Sequence, residues 1–142
     1  AETCRMAILA GAQFIVTPVV APEVATMARR YGKPVALGAF TPTEIFTAWE
    51  AGADMVKVFP ASLGGLDYIK AVRAPLPNIP LVPTGGVDLN NLAAFVAAGV
   101  SAIGVGGNLA GKDLIKAGKF AEITENARKY ATALAVARNS LG

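Results

Sequence analysis

Short apolar runs, each followed by a turn and then a helix-like stretch, recur along the whole chain. Three of them carry nearly the same preface: "AGAQFIVTP" at 10–18, "AGADMVKVFP" at 51–60 and "AGVSAIGVGG" at 98–107. In each, Ala-Gly closes a helix and places Gly11, Gly52 or Gly99 where left-handed backbone is favoured. Two further apolar runs, "PVALGAF" at 34–40 and "IPLVPTGG" at 79–86, lie between them. Helical patterns follow the five runs at about 22–31, 42–51, 65–73, 89–98 and, after a looser loop, 120–138.

Capping chemistry fixes the second of these helices. In "TPTE", Thr41 stands at the N-cap, Pro42 at the first helical position and Glu44 three residues after the cap, which makes a capping box. That accounts for Glu44 structurally, and Asp88 in "GGVDLNN" reads as another N-cap. Trp49 falls on an outer helix, where packing or an oligomer contact is the expected role.

Strands alternating with helices at this spacing predict a parallel sheet with right-handed crossovers. An open doubly wound sheet and a (β/α)8 barrel both fit that pattern. Five βα units are too few to close an eight-stranded barrel. The opening "AETCRMAILAGA" also reads as a helix in need of a preceding strand. The expectation is therefore that residues 1–142 are the C-terminal part of a single larger α/β domain, with a last helix at about 120–138.

Composition narrows the function classes. Of the 142 residues, 54% are hydrophobic and 16% charged, and the mean hydropathy is +0.48. No run approaches the roughly 18 uninterrupted apolar residues of a membrane span, so the apolar excess points to strands buried on both faces. A net charge of +3 with scattered basic residues gives no nucleic-acid footprint. Cys4 is the single cysteine and there is no histidine, which excludes an internal disulfide, a Cys–His catalytic pair and an ordinary zinc site. With no secretory pattern in the opening residues, a reducing cytoplasm is the expected compartment.

One residue departs from the apolar pattern. Strand side chains alternate, so in Met55-Val56-Lys57-Val58-Phe59 the lysine shares a face with Met55 and Phe59, while Val56 and Val58 share the other. Lys57 is expected to point either into a barrel interior or into a helix layer, and neither is wet. A structural lysine would snorkel at an edge or pair with a carboxylate such as Asp54. Asp54, however, lies at the opposite end of the strand and projects to the other face. The other reading is chemical. Burial disfavours the charged ammonium, and a neutral amine can condense with a ketone to form a Schiff base.

Two glycine-rich turns complete the candidate chemistry. "PTGG" at 83–86 and "GVGGN" at 104–108 each end a strand run and open a helical pattern. Glycines there let backbone N–H groups approach an anion, with a helix N-terminus expected to add partial positive charge. In barrels the loops after the seventh and eighth strands are the usual phosphate site. "GVGGN" does not make a dinucleotide fingerprint, because no acidic residue follows a second strand.

The ordered succession "AGAQFIVTP", "FTPTE", "VKVFPAS", "VPTGGV" and "AIGVGGNL" closely resembles the 2-keto-3-deoxy-6-phosphogluconate (KDPG) aldolase family, which includes 4-hydroxy-2-oxoglutarate (KHG) aldolase. The resemblance runs from the first residues to about Ala110. It implies a (β/α)8 TIM barrel of which this chain covers about strands four to eight. It also implies a homotrimer and a class I aldolase with no metal or other cofactor, acting on a small, phosphorylated 2-keto acid. Carried over by position, Lys57 matches the Schiff-base lysine and Phe59 the aromatic beside the pyruvyl group. Thr84, Gly85 and Gly86 match the turn that holds the far end of the substrate, Gly106 and Gly107 the second half of that site, and Thr17 and Pro18 the pocket wall. A non-catalytic assembly protein on the same scaffold, or another phosphate-binding barrel enzyme, are the competing expectations.

Two positions depart from the family pattern, and one group is missing. Gly107 stands where a serine hydroxyl often adds a phosphate contact, and Leu37 stands where proline is usual. The family's general acid/base glutamate and early arginines belong to its first strands. None of the ten acidic residues here replaces that glutamate: eight lie on or beside helices, Asp54 is at the wrong strand end, and Asp88 is a cap. The expectation is a site with its nucleophile and part of its anion seat, but without its base.

Overall fold

The computed structural model describes residues 1–140. Helix α1 (Glu2–Leu9) leads into strand β1 (Ile15–Val16), and α2 (Pro22–Arg30) leads into β2 (Val35–Ala39). Then come α3 (Pro42–Glu50), β3 (Met55–Val58), α4 (Ala61–Arg73) and β4 (Leu81–Pro83). The chain ends with α5 (Leu92–Ala97), α6 (Lys112–Lys116) and the long α7 (Phe120–Asn139). All strand pairings are parallel, and the spatial order β1-β2-β3-β4 is the order of the sequence. A doubly wound sheet would reverse its strand order at a switch point. An unreversed parallel sheet is the arrangement of a barrel wall.

Alternation decides what the sheet buries. Register pairs Leu37 with Val56 and Val56 with Leu81, then Ala39 with Val58 and Val58 with Pro83. These residues share one face, and Leu37, Val56, Val58 and Leu81 are fully buried there beneath the helices. Each such aliphatic side chain contributes roughly 1.5–3 kcal/mol through burial. The other face carries Val16, Ala36, Gly38, Met55, Lys57 and Val82. It is more open, with Val16 48% and Met55 39% exposed. Among the described residues the helices cover only the first of these faces.

The ends of the helices follow the sequence signals. Thr41 Oγ1 accepts from Glu44 N (3.2 Å), and Glu44 Oε2 accepts from Thr41 N (2.8 Å) and Phe40 N (2.9 Å), so the capping box forms. The Ala-Gly closures also form, with φ of +106° at Gly11, +89° at Gly52 and +80° at Gly99. At Gly52 the missing side chain matters a second time. The Arg29 guanidinium from the preceding helix occupies that space and donates to the carbonyls of Ala51 (3.5 Å) and Gly52 (3.4 Å). Arg73 lies against Gly99 in the same way.

Four boundaries differ from the sequence reading. The run at 98–107 forms no strand and pairs only through an isolated bridge between Thr84 and Gly104. Three glycines among residues 104–107 offer no side chains to pack as a strand. Strand β3 stops at Val58, leaving Phe59 just beyond it, because Pro60 has no N–H to extend the ladder. Helix α4 begins at Ala61 rather than 65, with a break at Gly65 (φ 64°, ψ −162°). Helix α5 begins only at Leu92, so Asp88 caps the turn before it, accepting from Asn90 N (2.8 Å) and Asn91 N (3.1 Å).

The capping box yields a test. Thr41→Ala is expected to lower stability by about 1 kcal/mol, read by denaturant unfolding. Its backbone bonds from Thr41 and Phe40 hold the Glu44 carboxyl below the ordinary carboxylate range. A depressed carboxyl stabilises fully above its unfolded pKa and loses that contribution as pH falls through the folded value. Glu44→Gln keeps an acceptor but removes the titration. Its melting temperature, relative to the parent protein, should therefore rise as the solution is acidified below the ordinary glutamate range.

Candidate active site

Lys57 stands on the open face of β3, between Gly38 of β2 and Val82 of β4. Among the described residues its side chain is half-buried. Period-2 alternation shows which residues share the lysine's face, but the cover over that face is a tertiary property. Nζ lies 4.6 Å from the centroid of the Phe59 ring, within cation–π range. Among the described residues no carboxylate comes within 4.0 Å of it. Asp54, the sequence candidate for a partner, is engaged elsewhere: its Oδ2 accepts from Val35 N at 2.8 Å and ties β3 to β2. The structural ion-pair reading of Lys57 fails on that contact.

Beyond Phe59 a recess of about 280 Å³ opens at the C-terminal ends of the strands. It is lined by Phe59, Thr84, Gly85, Gly86 and Val87 on one side and by Gly104, Gly106, Gly107 and Asn108 on the other. Gly85 (φ +81°) and Gly86 (φ +84°) occupy successive left-handed positions that side-chain-bearing residues adopt at a cost of roughly 1–2 kcal/mol each. Space demands glycine as well. A Cβ at Gly86 would sit 2.7 Å from Ser62 Cβ, and one at Gly85 would press on the Phe59 ring at 3.3 Å. The N–H groups of Gly85, Gly86, Val87, Gly106 and Gly107 donate to no acceptor among the described residues. Backbone donors that meet no protein acceptor are open to water or to an acceptor group that enters the recess.

The helix dipole predicted to reinforce this seat does not operate. The following helices are short, six residues in α5 and five in α6, and begin at Leu92 and Lys112, beyond the glycine turns. Attraction for an anion rests on the amide groups themselves.

A second recess, about 370 Å³, lies on the other side of the Phe59 ring and is lined by Pro18, Val19, Val20, Gly38, Ala39, Phe40, Glu44 and Phe59. Pro18 forms part of its wall, as expected, but Thr17 does not. The Thr17 hydroxyl accepts from Gly38 N (3.1 Å) and donates to Val19 O (2.6 Å), so it shapes the wall from behind. Gly38 permits this close approach, since a Cβ there would meet the Pro18 carbonyl carbon at 2.2 Å. Glu44 borders the recess, yet its carboxylate is held ionised by the cap and is a poor proton donor. Tyr68 steadies the far rim: its hydroxyl donates to Phe40 O, and its ring stacks on Phe40 at 5.1 Å. Burial, with Glu44 nearby, raises the Tyr68 phenol pKa.

Phe59, Thr84, Gly85, Gly86, Gly106 and Gly107 thus share one recess, Pro18 and Phe59 share the next, and Lys57 stands against their common ring. Sequence reasoning missed Gly38, Asn91 and Asn108. Gly38 was detectable as a glycine inside an apolar strand, a sign of close backbone approach. The asparagines gave no comparable signal. A further recess of about 220 Å³, with Arg29, Lys33 and Asp54, contains Val35 and so sits at the N-terminal ends of the strands. Barrel chemistry is not found at that end.

The parallel strand-and-helix wall therefore carries an amine on its open face and glycine turns at its C-terminal edge. The sequence profile of the KDPG and KHG aldolases matches residues 1–126, and the chain belongs to that family. It is 45% identical over 115 residues to the 2-dehydro-3-deoxy-6-phosphogalactonate aldolase of Escherichia coli (strain K12), covering 80% of this chain and 54% of that protein. The 2-dehydro-3-deoxy-phosphogluconate aldolase of Treponema pallidum (strain Nichols) is 41% identical over 125 residues, 87% of this chain and 59% of that one. A solved native KDPGal structure superposes with a TM-score of 0.84 at 37% identity, over 96% of this chain and 65% of the other. The chain spans between 54% and 59% of the length of these two curated relatives.

Proposed function

We propose that this chain carries the Schiff-base part of a class I aldolase site, acting on a 2-keto-3-deoxy-6-phospho sugar acid or on 4-hydroxy-2-oxoglutarate. The observation that carries the reading is the position of Lys57: an amine without a carboxylate partner, against the Phe59 ring, whose other edge borders the glycine-lined recess. In its unprotonated form Nζ attacks the C2 ketone, and the carbinolamine loses water to give a protonated imine. A base then removes the proton from the C4 hydroxyl. The C3–C4 bond breaks, its electrons flow into the imine to form an enamine, and the aldehyde departs. Protonation of the enamine at C3 and hydrolysis release pyruvate and restore the lysine. The iminium is the electron sink, so the mechanism calls for no metal.

The residues described supply the nucleophile, the aromatic wall and the backbone seat for the far end of the substrate. They do not supply the base: Glu44 is committed to its cap and Asp54 to Val35. We assign β1 to β4 and the Thr84–Gly104 bridge to strands four to eight of an eight-stranded barrel, with residues 1–142 as its C-terminal part. The base then comes from the strands that precede them. The assembly proposed is a cytoplasmic homotrimer. Sedimentation of the intact protein at the monomer mass would overturn the trimer.

Borohydride reduction in the presence of pyruvate tests the chemistry. The parent protein is expected to gain a stable adduct on Lys57, and Lys57→Ala to gain none. An adduct of equal yield on Lys57→Ala would remove the lysine from the mechanism.

Gly107 tests the substrate's far end. A Cβ at this position meets nothing within 4 Å, so Gly107→Ser fits without rearrangement and adds a hydroxyl donor to the seat. One hydrogen bond to a charged group is worth about 1.5–3 kcal/mol. For a phosphorylated substrate the variant should lower KM at least about tenfold and leave an unphosphorylated one unchanged. No difference between the two substrates would count against a phosphate in this recess.

A further inference from the structure

We propose that Asn91 and Asn108 are positioning residues that clamp the Gly85–Asp88 turn and keep its free N–H groups aimed at the anionic end of the substrate. The inference rests on reading that recess as the seat for the far end of the substrate.

The clamp is built on two successive peptide units. Asn91 Nδ2 donates to Gly86 O at 2.8 Å, and the N–H of that same peptide unit is the unengaged one of Val87. A planar trans peptide points its N–H opposite to its C=O, so a carbonyl drawn towards Asn91 turns the Val87 N–H the other way. The next peptide unit is gripped from both sides. Its oxygen, Val87 O, accepts from Asn108 Nδ2 at 3.2 Å, and its nitrogen, Asp88 N, donates to Asn91 Oδ1 at 2.9 Å. Asn91 is itself fixed, because its own N–H donates to Asp88 Oδ1 at 3.1 Å.

The turn needs such support more than most. Gly85 and Gly86 lack the side chains that would restrict their backbone, and glycine has the widest range of conformations to lose. Asn91 acts from the turn before α5, whereas Asn108 acts from the loop that follows the next unit and contributes Gly106 and Gly107. The Asn108 bond therefore also fixes the two halves of the seat relative to each other. Neither side chain is assigned chemistry on the reacting carbons; both act through backbone.

Asn91→Ala and Asn108→Ala in the intact protein separate this role from general support. Two measurements are made on each: affinity for inorganic phosphate by titration calorimetry, and yield of the pyruvate–borohydride adduct. Loss of one neutral bond in Asn108→Ala should weaken phosphate binding about fivefold, and loss of two in Asn91→Ala by about tenfold or more. Adduct yield should stay within about twofold of the parent, because pyruvate has no second anionic end to reach the glycine turn. Unchanged phosphate affinity, no phosphate binding by the parent protein, or a matching loss of adduct would each overturn the clamp. Should Asn91→Ala fail to fold, Asn108→Ala decides alone, since it removes a bond to a single carbonyl. Failure of the parent protein to form the adduct sinks the aldolase reading, while the phosphate comparison still judges the clamp.

Discussion

One-sided burial of a parallel sheet is the constraint from which the rest of this structure follows. Leu37, Val56, Val58 and Leu81 are packed without exposure beneath the helices. Alternation then leaves their neighbours no choice but the opposite face. Lys57 owes its position to the two valines that flank it. Moving the register by one residue would bury the ammonium among helices and expose the valines, a double loss that holds the amine in place. The amine is thus positioned by the burial of its neighbours in sequence.

Backbone supplies most of the remaining function. The seat beyond Phe59 is made of amide groups, and the side chains around it serve mainly to hold those amides still. Such a lining of amides carries no titrating group of its own. The free energy that ordinary turns spend on pairing their N–H groups is left available here for whatever enters the recess.

Much of this was legible in the sequence, and the failures share one cause. The capping box at Thr41 and Glu44 and the Ala-Gly closures are local patterns, and both appear as read. Period-2 alternation gave the lysine's face, opposite Val56 and Val58, whereas what covers that face is a tertiary property. The fifth strand reduced to one bridge because three glycines in four residues cannot be distinguished, by pattern alone, from a strand that packs. The helix dipoles were expected too near the turns: Asp88 has the chemistry of a cap, but here it caps the turn before α5. Asn108 acts through a backbone carbonyl in another segment, about which residue type alone is silent.

Phe59 borders both recesses and faces the amine as well. A single ring is thereby a party wall between two compartments, and neither can be resized without altering the other. Trimming it to enlarge room for one end of a ligand also loosens the chamber at the other end and strips the lysine of its π-face. The dimensions of the two recesses and the surroundings of the amine are consequently inherited together, as one trait rather than two.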